Sequence, residues 1–254
     1  VENSLTGISY RLMIAAGDDV SHFSNLDLIA IGYFLALWIG YTFYADERGA
    51  KKANLIGTMA KHRDAWMSRM LGRDNRMVDL QIVRNLTRTG VFFASTSILI
   101  LAGLITIMGA TDKAIIIFEN LPLVSRLGPL ELELRLAAMC LIFIYAFFKF
   151  AWSIRQLSYC TIQIGAMEPA TELTEDCNIR CRYISQLATL AAKHSNRGLR
   201  SYYFAMALLA WFLHPFALIA TTTFVVLVMY RREFRSKTLQ ILRDSLSTGE
   251  VDGG

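Results

Sequence analysis

The amino-acid sequence predicts an all-α protein: a polytopic membrane helical bundle with about four transmembrane helices and long cytoplasmic helical extensions. Of 254 residues, 54% are apolar and only 19% are charged, which is unusual for a soluble domain. The longest charge-free run, residues 202–230, exceeds the roughly 20 helical residues that cross the hydrocarbon core of a bilayer. No stretch shows the alternation of apolar and polar residues that is typical of strands.

Four apolar runs are long enough and sufficiently poor in charge to be transmembrane helices. They cover about residues 28–44, 90–110, 136–152 and 202–230. The third run is the weakest, because Arg135 precedes it and Lys149 lies near its end. A lysine at the end of a span can extend its amine to the lipid headgroups. We therefore expect a single membrane domain, residues 1–254.

The distribution of Lys and Arg predicts the orientation. The segment 45–89 contains ten of them, 153–201 contains six, and 111–133 contains two. Because cytoplasmic loops carry an excess of basic residues, we expect 45–89 and 153–201 in the cytoplasm and the N-terminal arm, 1–25, outside. Four simple spans then place the basic tail, 231–254, outside as well, where its five basic residues fit the rule poorly.

An alternative interpretation makes 202–230 a re-entrant hairpin that turns at His214 and Pro215 and returns the tail to the cytoplasm. Neither half is long enough to span alone, and a turn inside the bilayer must find hydrogen-bond partners within the protein. The single span is favoured, and the side on which the tail lies stays open.

The two basic segments show helical patterns. Apolar residues at helical spacing predict an amphipathic helix within 50–71, with its basic residues on other faces. An unbroken pattern leads into the second span and predicts one helix over roughly 77–109. The third span continues as a helix to Met167. A further helix ends near His194, and 195–198 is expected to turn the chain into the last span.

The sequence contains no motif that predicts catalysis. The four histidines do not fall at metal-ligand spacing on one predicted helix, and HExxH, GxSxG, Walker and Rossmann patterns are missing. Cys177 and Cys181 share a helix face, but core packing explains them better than a metal site does. We expect no enzymatic activity, metal site or cofactor. We also expect no nucleic-acid partner, because the basic excess is modest and confined mostly to two loops.

His214 is the strongest single candidate for a functional residue. Ionisable groups within a membrane are often functional, so His214 beside Pro215 could line a pore, relay a proton or ligate a haem. A structural role, with a neutral imidazole hydrogen-bonded across helices, is favoured. Three hydroxyl side chains of the same run are further pore candidates: Thr221, Thr222 and Thr223.

A band of charges at the cytoplasmic end of the second helix is the other candidate site. In an oligomer such residues could form a ring that selects ions. Ion pairing within the protein, together with anchoring on the basic side of the membrane, is the favoured interpretation. The band consists of Asp79, Arg84, Arg88, Arg197 and Arg200.

Four segments together resemble one protein family of bacterial inner-membrane proteins, classed only as a domain of unknown function. They are RDNRMVDLQI at 73–82, FFAST at 92–96 with ILILAG at 98–103, NRGLRSYYF at 196–204 and YRREFR at 230–235. The resemblance covers about residues 25–240. It implies a multi-span protein of the bacterial inner membrane, and it carries no activity and no catalytic residues. In that membrane the N-terminus, which the Lys and Arg distribution places outside, is expected to be periplasmic.

Two functional hypotheses from different classes follow. The favoured one is a non-catalytic scaffold or accessory subunit, whose partners are the lipid bilayer and either copies of itself or other membrane proteins. The alternative is a homo-oligomeric channel or transporter for a small solute or ion, and a haem-binding protein is the weakest possibility. The scaffold is favoured because spans without buried charge pairs offer little to move an ion.

Overall fold

The computed structural model describes residues 24–51, 54–119, 128–169 and 175–251, and every regular element within these ranges is helical, which confirms the all-α fold class. The arm predicted over 1–25 lies almost entirely outside the described residues. In chain order the helices are α1 (Asn25–Lys51), α2 (Leu55–Leu71), α3 (Met77–Met108), α4 (Thr111–Glu119), α5 (Pro129–Gly165), α6 (Glu175–Leu209), a 3-10 turn (Ala210–Phe212), α7 (Pro215–Phe234) and α8 (Lys237–Val251).

Four helical segments are long and apolar enough to cross a membrane: Asn25–Asp46, Met77–Met108, Pro129–Gly165 and Pro215–Ser247. The first three overlap the predicted spans. With 32 and 37 residues, α3 and α5 are about 48 and 55 Å long at 1.5 Å per residue. Since a hydrocarbon core is about 30 Å thick, both helices extend well beyond it.

Residues 202–230 form two helices, which corrects the prediction of one span there. α6 ends at Leu209 and α7 begins at Pro215. Proline has no amide N–H and its ring clashes with the carbonyl four residues earlier, so a regular helix does not continue through Pro215. His214 marks the break with an extended backbone, φ −164° and ψ 146°.

The chain reverses at this break, and α6 and α7 form an antiparallel hairpin. The hydroxyl of Thr221 in α7 donates to the carbonyl of Ala207 in α6 at 3.1 Å. Farther from the turn, Arg232 Nη1 donates to the hydroxyl of Tyr203 at 2.6 Å. The turn lies where the alternative interpretation put it. Unlike the short arm of a re-entrant hairpin, however, α7 is as long as a hydrocarbon core is thick, because its 20 residues measure about 30 Å.

The helix directions place the basic segments at one end of the bundle. α7 runs parallel to α1, because Tyr33 bonds Thr223 at 2.8 Å and Tyr44 packs on Phe234. α5 runs antiparallel to both α3 and α6. We call the end where α1, α5 and α7 finish the basic end, and the end where α6 turns into α7 the turn end. The tail therefore starts at the same end as the two basic segments.

α6 continues without a break through 195–198, which corrects the turn predicted there. Gly198 serves packing instead, since a Cβ at this position would lie 2.7 Å from the ring of Phe150 in α5. Phe150 forms a small buried cluster with Ala94 and Ala146, and two larger clusters are separate from it. One fills the space among α1, α5, α6 and α7, and the other packs α2 against the basic ends of α3, α5 and α6.

Candidate functional site

Charged side chains converge at the basic end, between α1, α2, α6 and α7. The apolar part of α7 ends there, at Arg231 and Arg232. Helix α2 follows α1 at this end and lies across the neighbouring helices. We call this set the arginine cluster: Asp46, Arg63, Arg197, Arg200, Arg232 and Glu233.

Asp46 is the acceptor at the centre of the cluster. One of its oxygens accepts from Arg197 Nε at 2.5 Å and the other from Arg200 Nη1 at 3.0 Å. Arg200 is only 7% exposed, and the same Nη1 also donates to the carbonyl of Thr42 at 3.4 Å. A buried guanidinium requires such pairing, and these bonds tie the end of α1 to the middle of α6.

A cavity of about 180 Å³ opens beside Arg200. Its described lining includes three guanidinium groups, from Arg63, Arg200 and Arg232, and one carboxylate, from Glu233. Arg200 Nη2 and Arg63 Nη1 are buried and have no hydrogen-bond partner among the described residues. Burial lowers the pKa of the Arg63 guanidinium. The cavity is therefore basic, and two of the arginines that line it keep a buried nitrogen without a described partner.

The carboxylate of the cavity accepts a hydrogen bond from another residue of its lining. Glu233 Oε1 accepts from the amide of Ile56 at 3.3 Å, in the first turn of α2. Asn54 caps the same helix by accepting from the amide of Gly57 at 2.8 Å. The first turn of α2 is thus already supplied with acceptors, one of which comes from α7.

The predicted band of charges does not form a ring within the chain. Asp79 is fully buried and accepts from Trp66 Nε1 at 2.7 Å and from Arg73 Nη1 at 2.6 Å, which joins α2 to α3. Arg84 and Arg88 are exposed on α3. Of the five predicted residues, the structure brings together the two from α6, which share Asp46.

His214 lies at the turn end rather than at mid-membrane depth. Its side chain is exposed, and its Nδ1 accepts from the amide of Phe216 at 3.2 Å. The imidazole also stacks on the ring of Phe216, with centroids 5.4 Å apart. His214 is therefore the N-cap of α7, and Pro215 occupies the first helical position, where its missing N–H costs nothing.

The three candidate threonines support helix packing. Each hydroxyl donates to a carbonyl of α7 four residues earlier, at 2.6 to 2.8 Å. Thr222 is fully buried, Thr221 also reaches α6, and Thr223 bonds Tyr33 of α1. The hydroxyls are thus used inside α7 and across its contacts.

A buried ion pair at the turn end was not predicted. Arg135 and Asp27 are 3% and 6% exposed, and Arg135 Nη2 lies 3.3 Å from Asp27 Oδ1. Trp211 Nε1 donates to the same oxygen at 2.8 Å, and Arg135 Nη1 donates to the carbonyl of Trp211 at 2.7 Å. The three residues hold the α6–α7 turn against the starts of α1 and α5. The expectation that the spans lack buried charge pairs is wrong.

Sequence reasoning also missed Arg63, which was assigned to a polar face of its helix. Arg63 lies seven residues after Ile56 and four before Met67, both buried, so it shares the buried face of α2. A basic residue within an apolar stripe was the available signal. Its acidic neighbour in the cavity, Glu233, lies on a distant helix, which helical spacing does not reveal.

No curated protein matches the chain, and no solved structure does. A family model described as a protein of unknown function, DUF599, matches residues 29–238. This range contains all of the arginine cluster and the α6–α7 hairpin. The chain therefore belongs to the DUF599 family.

Proposed function

We propose that the chain is a non-catalytic integral protein of the bacterial inner membrane, which acts as a scaffold or accessory subunit by associating with copies of itself or with other membrane proteins. The observation that carries this proposal is an exposed apolar stripe on the first turns of α3. Val78, Ile82 and Leu86 are 62%, 38% and 47% exposed. Their spacing of four residues places them along one side of the helix.

The stripe lies outside the hydrocarbon. A core of about 30 Å takes roughly 20 residues, which the last 20 residues of α3 supply. The exposed Arg84 and Arg88 lie on the same early turns as the stripe. Apolar side chains that face water in a row are typical of a protein contact.

The orientation belongs to the same proposal. The three basic segments at the basic end contain ten, six and five Lys and Arg, twenty-one in all. The positive-inside rule then favours a cytoplasmic basic end and a periplasmic turn end. The hairpin removes the earlier conflict, because the tail leaves the bundle on the same side as the basic loops.

The alternative functions have less support. For a homo-oligomeric channel or transporter, Thr221, Thr222 and Thr223 would have to offer hydroxyls to water, yet each bonds a carbonyl of its own helix. A haem site is the weakest, because His214 Nδ1 accepts from a backbone amide. Thiol-reagent access at cysteines placed on the three threonine positions tests the channel directly.

Site-specific photo-crosslinking tests the scaffold role. A photoreactive phenylalanine derivative replaces Ile82 in the stripe and, as the matched control, the exposed Arg84 two residues away on another face of α3. After irradiation of native membranes, we expect a discrete crosslinked product from position 82, either a dimer of the chain or a complex with one membrane protein, and none from position 84.

The mass of the particle after mild detergent extraction is a second test of the scaffold role, because it gives the number of subunits. A fixed stoichiometry of subunits that matches the crosslinked product supports the proposal. A monomeric particle, together with no crosslink at position 82, contradicts it.

A further inference from the structure

The cavity at the arginine cluster has the composition of an anion-binding site. We propose that it binds a phosphate-bearing anion, either the headgroup of an anionic phospholipid or a free phosphate. The guanidinium groups of Arg63, Arg200 and Arg232 supply the donors. The scaffold proposal rests on α3, at a different place in the bundle, so an experiment that contradicts one of these two proposals leaves the other unaffected.

Two of these guanidinium groups have donors without partners. Arg200 is more than nine-tenths buried, and its Nη2 has no acceptor among the described residues, as is also true of Arg63 Nη1. A buried charged donor that lacks an acceptor destabilises a fold. Phosphate oxygens match the planar fork of a guanidinium and accept from more than one arginine at once.

The nearby carboxylates do not take this role. Asp46 already accepts from Arg197 and from the other terminal nitrogen of Arg200. Glu233 lines the cavity, and its Oε1 accepts from the amide of Ile56, another lining residue. Neither Arg63 Nη1 nor Arg200 Nη2 bonds it. The lining therefore keeps an excess of positive charge, with three guanidinium groups against one carboxylate.

The size of the cavity and its position along α7 also fit a phosphate group. The cavity measures about 180 Å³, the share of roughly six waters in the liquid at about 30 Å³ each, so a phosphate group has room. It lies where the apolar part of α7 gives way to Arg231 and Arg232, the depth of the headgroups. A phospholipid could thus place its phosphate in the cavity while its chains stay in the hydrocarbon.

Arg232 lies at the rim of the cavity. It is exposed, and its Nη1 donates to the hydroxyl of Tyr203 at 2.6 Å. Its guanidinium has further N–H groups that can reach a bound anion. Arg232 is expected to contribute less than Arg200 and Arg63, because an exposed charge is screened by water.

Binding is measured on the full chain in a neutral, phosphate-free detergent and in nanodiscs. Inorganic phosphate is titrated by calorimetry in detergent. For the lipid arm, the chain is reconstituted in nanodiscs of phosphatidylcholine, either alone or mixed with phosphatidylglycerol. Native mass spectrometry then counts the phosphatidylglycerol molecules that stay bound to each chain. We expect one bound anion per chain in at least one arm, and roughly tenfold or more weaker binding in Arg63→Gln, because a charge-assisted hydrogen bond is lost.

Arg84→Gln is the matched control, since it removes an exposed arginine of α3 that is remote from the cavity, and its binding is expected to equal that of the native chain. Arg200→Gln also deprives Asp46 of a partner and can unfold the protein, so Arg63→Gln is the decisive variant. Without an anion, Arg63→Gln is expected to unfold at a temperature no lower than the native chain, because it removes an unpaired buried charge. A purely structural arginine would lower that temperature.

The two arms identify the source of the anion. Retained phosphatidylglycerol without phosphate binding assigns the site to a lipid headgroup, and phosphate binding alone assigns it to a free anion. Binding in neither arm overturns the proposal. Equal losses in Arg63→Gln and Arg84→Gln also overturn it, since they would indicate general surface charge.

Discussion

At the scale of the residue, His214 shows how a polar side chain in an apolar run is used. The break before Pro215 leaves the first amides of α7 without helical partners. His214 has the extended backbone of an N-cap and offers Nδ1 to the amide of Phe216. His214 is exposed at the turn end, and this position fits the structural role of a helix cap.

Replacing His214 separates the capping role from a chemical one. His214→Ala is expected to lower the free energy of unfolding by about 1 kcal/mol, because the cap is lost. His214→Asn is expected to unfold like the native chain, since asparagine also caps helices well. The measurement is equilibrium unfolding in detergent, followed by circular dichroism. Equal losses in both variants would show that the imidazole itself is required.

Arg63 and Arg200 show how charged side chains are used at the basic end. Arg63 lies on an otherwise apolar face of α2, whereas Arg200 lies one helical turn from Arg197, and both Arg63 and Arg200 keep a buried nitrogen without a described partner. Arg135 at the turn end is similar, because it bonds an aspartate and a backbone carbonyl, as Arg200 does, and its buried Nε has no described partner. Arg63 and Arg200 in addition line one cavity with a third arginine, and this grouping makes the basic end the candidate binding site.

At the scale of the element, the contact between α5 and α6 depends on one glycine. Phe150 is fully buried and its ring presses on Gly198. Phe150 also stacks on Phe93 of α3 at 5.2 Å between centroids. One aromatic ring thus fixes the spacing of three helices. Gly103 of α3, by contrast, has nothing within 4 Å of an added Cβ.

Adding a methyl group at this contact is expected to separate the helices. Gly198→Ala should lower the free energy of unfolding by about 1–3 kcal/mol, because the core is overpacked. Gly103→Ala is the control and should be neutral or stabilising by up to about 1 kcal/mol, because alanine favours a helix. Thermal unfolding in detergent measures both changes.

A second substitution tests the cause. Phe150→Leu in the Gly198→Ala background should recover part of the loss, since the smaller side chain leaves room for the methyl group. Additive losses in the double variant would contradict a direct clash.

At the scale of the whole molecule, the end of α6 acts as an additional pass through the bundle. By hydropathy it is not one of the four candidate spans. Yet Phe204 is fully buried and packs on Phe34 of α1 with ring centroids 5.8 Å apart. Neighbouring helices shield this part of α6, so it can lie at membrane depth without a long apolar run of its own.

With α6 as a fifth pass, we expect the two ends of the described chain on opposite sides of the membrane. In a bacterial host, green fluorescent protein fused after residue 247 should fluoresce, and alkaline phosphatase fused there should be inactive, because both report a cytoplasmic location. Fusions after residue 212, at the turn end, should give the reverse. Active phosphatase at residue 247 would contradict the hairpin and restore a single span over 202–230.

The sequence by itself determined the helical class of this protein and the location of three apolar helices, which are long enough to span a membrane and overlap the predicted spans 28–44, 90–110 and 136–152. The length of an apolar run against the thickness of a bilayer is a local property, as is helical periodicity, and both can be read from one segment. The same holds for the unbroken helix predicted over 77–109, which is α3.

Only the tertiary structure decided how 202–230 is used and which charges meet. Pro215 permits either a kink or a reversal, and the choice depends on contacts from elsewhere, such as the Asp27–Arg135–Trp211 network at the turn. Arg200 and Arg63 face one cavity although they are far apart in the chain. Such pairings depend on the packing of distant helices, and periodicity within one helix does not specify them.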